Sequence, residues 1–158
     1  MCMIDTIDRK LLDLLQRDGR LSNAEMAAAV GLTISSVHER VKKMERKGII
    51  KGYVAVVDPD KLSKPLLAFM RLTVTPGEQG TSGIRALCAS EPDIMECHNV
   101  AGEDCLILKV RAESPKQLEK LLSAIKSSVP ATRSVTSIVL STYKESTLIV
   151  PAATEEGE

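Results

Sequence analysis

The stretch that decides the fold is residues 22–48, SNAEMAAAVGLTISSVHERVKKMERKG. Ser22 and Glu25 form a capping box, in which each side chain accepts a hydrogen bond from a backbone N–H at the start of a helix. Gly31 supplies the left-handed residue that ends this first helix, and Thr33 can cap the next one with its hydroxyl. The stretch therefore predicts two helices joined by a tight turn.

The second predicted helix carries apolar and basic residues on different faces. Four apolar residues recur at helical spacing and are expected to face a core: Ile34, Val37, Val41 and Met44. From Glu39 to Lys51, six Lys and Arg residues stand against two Glu residues. A short helix, a Gly-Leu-Thr turn and a basic second helix are typical of a helix-turn-helix that reads DNA, although the charged side could also be merely solvated. The residues predicted to contact DNA are Ser35, Ser36, His38, Glu39, Arg40, Lys42, Lys43 and Lys47.

A third helix before this pair would complete a small core. Asp5 can cap it, Gly19 can end it, and apolar residues between them recur on one side. Three helices can bury a core that two could not, so residues 1–57 are predicted to form a DNA-binding domain. At its end, residues 49–57 (IIKGYVAVV) predict a strand that leaves the basic helix.

The chain of 158 residues has no net charge, but its two halves differ. Residues 1–57 hold ten Lys and Arg against seven Asp and Glu, and residues 58–158 hold eleven against fourteen. This asymmetry indicates two domains: a basic amino-terminal domain that binds DNA and an acidic carboxyl-terminal domain with another role. Residues 58–65 contain two prolines and four charged residues, which predicts a connector.

Residues 66–150 alternate between strand and helix patterns. Strands are predicted at 66–74, 94–100, 105–110 and 135–150 (the last as one strand or two), with helices at 82–90 and from 114 onward. The order βαββαβ predicts a ferredoxin-like domain, so the expected fold class is α+β, followed by a flexible tail at 151–158. Because two helices cover only one face of such a sheet, we expect a homodimer through the other face.

Several segments resemble the Lrp/AsnC family of leucine- and asparagine-responsive regulators. They include DTIDRKLL at 5–12, GLT at 31–33, KGIIKGY at 47–53 and IVLSTYKE at 138–145, together with Gly19-Arg20 and Arg40-Val41. The resemblance covers nearly the whole chain and implies a winged helix-turn-helix followed by a ligand-sensing domain. It also implies dimers, often assembled to octamers, and an amino acid or similar metabolite bound where dimers meet. The expected function is a transcriptional regulator whose assembly or operator binding the effector modulates.

The resemblance also implies an effector site in the loop between the second and third strands of the sheet. Gly102 would let a ligand approach the backbone, whose N–H groups can take a carboxylate, while Asp104 or Glu103 could take an ammonium. The acidic residue lies one place earlier than in the family pattern, and Cys105 occupies the usual polar position. Alternatively, Gly102 only makes a hairpin turn. The implied effector-binding residues are Val100, Ala101, Gly102, Glu103, Asp104, Cys105, Thr136 and Ser137.

Other chemistries find little support in the sequence. Cys97 and His98 are adjacent in a predicted strand and should point to opposite faces, so no metal site is predicted from them and Cys105. There is no Ser-His-Asp order, phosphate loop or nucleophile elbow, so we do not expect an enzyme or a cofactor. With two Tyr and one Phe in the chain, base stacking on the sheet is disfavoured. Four cysteines without C-x-x-C spacing predict free thiols.

The expected partners are double-stranded DNA, a small-molecule effector and further copies of the chain. The sequence has no apolar run of about 18 residues and no charged-then-apolar leader, so a soluble cytoplasmic protein without a membrane partner is expected. Two alternatives stay open. One is an amino-acid-binding regulatory subunit that acts on an enzyme, and the other is an effector-independent protein that organises DNA.

Overall fold

The computed structural model describes residues 4–74, 79–103 and 105–151, with backbone only at 79–81. The chain divides into two compact units. Of the described residues, the first unit contains 4–56 and 144–151, and the second contains those from Val57 to Tyr143. Among the described residues, no helix combines the length and the hydrophobicity that spanning a bilayer requires.

The first unit is built on three helices: α1 (Thr6–Arg17), α2 (Asn23–Val30) and α3 (Ile34–Arg46). Their ends follow the local sequence. Asp5 with Asp8 and Ser22 with Glu25 form capping boxes at the starts of α1 and α2. The core is formed by the apolar faces of the three helices: Leu11, Leu12, Leu15, Met26, Ala27, Val37, Val41 and Met44. Ile34, expected in this core, is 56% exposed because it is the first residue of α3.

The second unit is a four-stranded antiparallel sheet with two helices on one face. Its elements are β1 (Leu66–Val74), α4 (Gln79–Ser90), β2 (Ile94–Asn99), β3 (Leu106–Ala112), α5 (Pro115–Ser128) and β4 (Ala131–Ile138). The strand order β2-β3-β1-β4 confirms the predicted ferredoxin-like arrangement and the α+β class. Alternate residues of β1 and β3, such as Met70 and Leu108, are buried against Ile84 of α4 and Ile125 of α5.

Two strand predictions were wrong: the strand predicted at 49–57 is absent, and the last strand has other bounds than predicted. Residues 51–58 have no regular secondary structure, and Val54 and Val56 are 87% and 93% exposed, because no described strand pairs with them. The last strand begins at Ala131 rather than Val135 and ends at Ile138 rather than Val150. Its length is set by β1, whose residues Val74 to Ala68 pair with Ala131 to Ile138.

Residues 144–150, predicted as part of the sheet domain, and Pro151, predicted as tail, group instead with the helices of the first unit. The remainder of the predicted tail, 152–158, lies outside the described residues.

The open face of the sheet, through which we expect a homodimer, is chemically mixed. Direct cross-strand pairing places Phe69 beside Lys109 and Ser137, and Arg71 beside Ile107 and Val135. Phe69 is 38% exposed. The leucines of β1 and β3 mostly face α4 and α5, because a strand alternates its side chains between faces. Any partner on the open face must therefore accommodate cations as well as apolar groups.

Candidate DNA interface and effector site

The helix-turn-helix has the geometry that its sequence predicts. Gly31 adopts φ 71° and ψ 34°, and its N–H donates to the Ala27 carbonyl to end α2. The Thr33 hydroxyl accepts a hydrogen bond from the Ser36 N–H at 3.2 Å and so starts α3. The Asn23 amide lies 3.3 Å from Nδ1 of His38, which links the first turn of α2 to α3. The turn is fixed by local contacts at both ends.

The predicted DNA-contacting residues divide between two sides of α3. A shallow depression is lined by Asp5, Ser36, Glu39, Arg40, Lys43 and Arg46. At 100° per residue, Ser35, His38 and Lys42 lie on the opposite flank of the helix from Arg40 and Lys47. All eight predicted residues except Arg40 are exposed.

Arg46 is the residue that the sequence-based list omitted. It lies at the depression with Ser36 and Lys43, near the middle of the exposed side of α3. The steps of seven and three residues from Ser36 to Lys43 to Arg46 keep these side chains within one sector of the helix. That spacing could have identified Arg46 in advance.

Arg40 is held by acidic residues of the same unit. Its Nη1 lies 2.5 Å from Oδ2 of Asp5 and 2.8 Å from Oδ1 of Asp8. The pKa of the Asp5 carboxyl is lowered, first by the backbone N–H of Asp8 and further by Arg40. The guanidinium of a predicted DNA contact is thus engaged within the protein.

On the other flank of α3, Glu45 joins two side chains. It accepts hydrogen bonds from Lys42 Nζ at 3.0 Å and from the Tyr53 hydroxyl at 3.2 Å. The Tyr53 ring also approaches Gly19, where an added Cβ would lie 3.5 Å from Cδ1 of the ring. These contacts attach the segment after α3 to the helical core.

The predicted effector loop is a tight connection between β2 and β3. The Val100 N–H donates to the Cys105 carbonyl at 2.9 Å, and the Cys105 N–H donates to the Leu72 carbonyl at 2.8 Å. Gly102 has φ 140°, a conformation that side-chain-bearing residues rarely adopt, and open space surrounds the position of its missing Cβ. Ala101, Gly102 and Glu103 are exposed, whereas Asp104 lies outside the described residues. The loop is both a turn and an accessible backbone surface.

Cys105, predicted at the polar position of the loop, is half-buried. Its thiol donates to the Val74 carbonyl over 3.7 Å, and its side chain packs on the core of the second unit. This position is therefore partly structural.

Thr136 and Ser137 cannot serve one site together. Thr136 pairs with Met70 on the face covered by the helices, and Ser137 pairs with Phe69 on the open face. Leu106, which follows the loop, pairs with Leu72, and Leu72 pairs with Ser134, so β1 separates the loop from β4. Two strand spacings amount to about 10 Å. A ligand that touches both the loop and β4 would have to span this distance or lie between chains.

Cys88, Cys97 and Cys105 are free thiols, as predicted. Cys97 pairs with Leu108 on the helix-covered face and His98 with Ile107 on the open face, as their alternation predicted. Burial, with a smaller contribution from the neighbouring Cys88, raises the pKa of the Cys97 thiol to about 11. His98 instead contacts Glu96, with 3.1 Å between Nε2 and Oε2. The fourth cysteine, Cys2, lies outside the described residues.

Comparison with known proteins agrees with both units. A family model described as winged helix-turn-helix DNA-binding matches residues 4–51, and one described as the Lrp/AsnC ligand binding domain matches residues 67–149. The chain belongs to the Lrp/AsnC family. It is a transcriptional regulator of this type, with a helix-turn-helix and a carboxyl-terminal ligand-binding domain.

Relatives of this Lrp/AsnC chain cover almost its full length. It is 34% identical to the HTH-type transcriptional regulator FL11 of Pyrococcus horikoshii, over 91% of this chain and 94% of the relative. It is 35% identical to the leucine-responsive regulatory protein of Escherichia coli, over 93% and 91% respectively. A feast or famine regulatory protein of M. tuberculosis, solved with L-methionine, superposes with a TM-score of 0.86 at 33% identity, covering 94% of this chain and all of that one.

Proposed function

We propose that this regulator binds double-stranded DNA through the exposed side of α3. The observation that carries the proposal is the grouping of Ser36, Lys43 and Arg46 at one depression on the second helix of a helix-turn-helix. Ser36 lies in the first turn of α3, where a recognition helix reaches base edges, whereas Lys43 and Arg46 can reach phosphates. The other candidates from the sequence, Ser35, His38, Glu39, Lys42 and Lys47, border this surface. The proposed DNA-binding domain is residues 1–57, and a regulator of chromosomal DNA would act in the cytoplasm.

The direct test is binding to a duplex taken from the region upstream of the protein's own gene, compared with a random-sequence duplex of equal length. Fluorescence anisotropy across a salt series would give the affinity and its salt dependence. We expect tighter binding to the upstream duplex and an affinity that falls steeply as salt rises. No binding to either duplex would favour the alternative of a regulatory subunit that acts on an enzyme.

We further propose that the effector is an amino acid bound at the loop of residues 100–105. The exposed backbone around Gly102 offers N–H groups to a carboxylate, and acidic side chains of this loop offer a partner for an ammonium. Methionine is the first candidate to test, because two similar proteins were solved as L-methionine complexes, one from M. tuberculosis and one from Neisseria meningitidis. Thr136 and Ser137 would contribute from opposite faces of β4, at most one of them to a given site.

Thermal shift against the twenty amino acids tests this proposal. A ligand that binds only the folded state raises the melting temperature as its concentration exceeds the Kd. We expect methionine or another apolar amino acid to produce such a shift. A protein that binds DNA but shows no shift with any amino acid would be the effector-independent DNA-organising alternative.

We also propose a homodimer that assembles to an octamer, with the sheet-bearing residues 66–143 as the assembly unit and residues 58–65 as the connector. Support comes from the open sheet face, where Phe69 remains 38% exposed between Lys109 and Ser137, while Ile107 and Val135 flank Arg71 two residues along β1. Sedimentation of the full chain should show an assembly larger than a monomer, and Phe69→Asp should weaken it. Lys116→Asp on the exposed side of α5 is the matched control and should leave the assembly intact. A monomeric parent at micromolar concentration would contradict the proposal.

A further inference from the structure

Arg40 of the recognition helix and the two aspartates that start α1 form one closed network. In each carboxylate, one oxygen serves the helix cap and the other serves Arg40. Oδ1 of Asp5 accepts the Asp8 N–H at 2.8 Å, and Oδ2 of Asp8 accepts the Asp5 N–H at 3.3 Å. The remaining oxygens, Oδ2 of Asp5 and Oδ1 of Asp8, both accept from Nη1 of Arg40. The two carboxylates therefore join the cap of α1 to the middle of α3.

The burial of Asp8 makes this network matter for stability. Asp8 is 6% exposed and is the one charged residue among the buried residues of the described structure. A buried carboxylate without a cation beside it strongly destabilises the folded state, because the carboxylate loses its hydration and has no opposite charge to replace it. The Arg40 side chain is itself only 31% exposed. Arg40 is thus the cation that this buried carboxylate contacts.

The charge of the network argues against a phosphate at Arg40. One guanidinium and two carboxylates sum to a net charge of about −1 at neutral pH. A phosphate that approached Arg40 would meet the repulsion of Asp5 and Asp8 as well as the attraction of the guanidinium. Lys43 borders the same depression, which Asp5 and Glu39 also line, but among the described salt bridges none joins Lys43 to a carboxylate, and its side chain is exposed.

We propose that Arg40 is a positioning residue for DNA recognition: it fixes α3 against the capped end of α1 and leaves contact with DNA to Ser36, Lys43 and Arg46. This inference rests on the proposed DNA binding by α3. It assigns to Arg40 a role different from the one that its place in the basic sequence predicts. The consequence is that loss of Arg40 disturbs recognition through the orientation of α3, while the number of phosphates neutralised stays the same.

The salt dependence of DNA binding separates the two roles. Each phosphate contact contributes about one unit to the slope of log K against log salt concentration. We expect Arg40→Ala to keep the salt slope of the parent. Its affinity for the upstream duplex should fall roughly tenfold, about the effect of one mismatched base pair, and so approach its affinity for the random-sequence duplex. Lys43→Ala, the matched cation on the same helix, should lower the slope by about one. A slope for Arg40→Ala that falls as it does for Lys43→Ala would overturn the proposal.

A thermodynamic cycle tests the network without DNA. Asp5→Asn with Asp8→Asn keeps an amide oxygen for each of the two hydrogen bonds of the α1 capping box, because Asn caps a helix as well as Asp does, but removes the charges that face Arg40. Arg40→Ala should lower the melting temperature of the parent by about 5 °C or more, and by less than half as much in the Asn double variant. An equal loss in both backgrounds would show that Arg40 does not act through these aspartates.

The two measurements keep this inference distinct from the proposed function. If the parent fails to bind either duplex, DNA binding by α3 is wrong, while the thermal cycle still decides whether Arg40 positions α3. If Arg40→Ala is too unstable for binding assays at 25 °C, anisotropy at 10 °C with far-UV circular dichroism gives the slope on folded protein. The double variant, which retains Arg40, provides a second folded comparison.

Discussion

The side-chain amide of Gln16, on the last turn of α1, makes two hydrogen bonds to the backbone of Ile149. Nε2 of Gln16 donates to the Ile149 carbonyl at 3.0 Å, and Oε1 accepts the Ile149 N–H at 2.7 Å. The Gln16 amide thus makes the same two hydrogen bonds to the Ile149 N–H and carbonyl that a residue of a neighbouring antiparallel strand would make. Residues 144–151, which have no regular secondary structure, are in this way attached to the helical unit.

Replacement of Gln16 by Leu should therefore release this segment. Because the two hydrogen bonds are exposed, the loss should be about 1 kcal/mol, or roughly fivefold in the fraction of released segment. Trypsin cleavage after the exposed Lys144 should accelerate by that factor. Lys10→Leu, at another exposed position of α1, is the control and should leave the rate at Lys144 unchanged. Equal rates in parent and Gln16→Leu would show that these bonds do not hold the segment.

Removal of Arg46 should weaken DNA binding, although the sequence did not select this residue. Arg46→Ala removes a cation from the depression that also contains Ser36 and Lys43, so the salt slope should fall by about one. Lys120→Ala removes an equal charge from an exposed position of α5 and should leave the slope unchanged. If both variants behave alike, the DNA surface lies elsewhere on the helical unit.

Gly83 lets α4 approach the end of α5. A Cβ at this position would lie 2.0 Å from the backbone carbonyl oxygen of Ser128, which is far inside contact distance. Gly83→Ala should destabilise the sheet unit by about 1–3 kcal/mol, since overpacking outweighs the gain in helix propensity. Gly52→Ala, where nothing lies within 4 Å of the added Cβ, should cause no comparable loss. Thermal unfolding of both variants is the measurement, and an unchanged melting temperature for Gly83→Ala would contradict the close approach.

The two substitutions Gly102→Ala and Gly102→Arg separate backbone strain from ligand exclusion. Both residues are strained at φ 140°, at a cost of about 1–3 kcal/mol, so both variants should lose some stability. Only Arg adds a side chain large enough to fill the space that a ligand would occupy. We expect the amino-acid-induced thermal shift to persist in Gly102→Ala and to disappear in Gly102→Arg, with DNA binding retained by both. A shift that survives in Gly102→Arg would indicate that the loop is only a turn.

The thiol of Cys97 should react slowly in the folded protein. Its pKa is raised to about 11 by burial and by the adjacent Cys88. At pH 8 only about one thiol in a thousand would then be the reactive thiolate. Iodoacetamide labelling at pH 8, followed by mass spectrometry of the peptides, should show Cys97 protected in native protein. The same label in guanidinium chloride is the control and should modify it readily, whereas fast native labelling would contradict the burial of this thiol.

The sequence by itself determined the elements that are closed by local contacts. The starts of α1, α2 and α3 follow from Asp5, Ser22 and Thr33, whose side chains bond to N–H groups three residues away. Gly31 likewise adopts the left-handed conformation that its place in the turn demanded. The alternation of strands and helices sufficed for the ferredoxin-like order, because the pattern of buried residues in β1 and β3 follows from strand periodicity.

Only the tertiary structure decided which partners distant residues found. Residues 51–58 are rich in β-forming side chains, yet a strand exists only where another strand supplies its hydrogen bonds, and none of the described strands does so here. The end of β4 at Ile138 follows from its pairing with Ala68 of β1. Arg40 has the spacing of a DNA contact along α3, but its carboxylate partners are 35 and 32 residues earlier in the chain. Charge and period are local properties, whereas the neutralisation of a cation depends on which helix packs beside it.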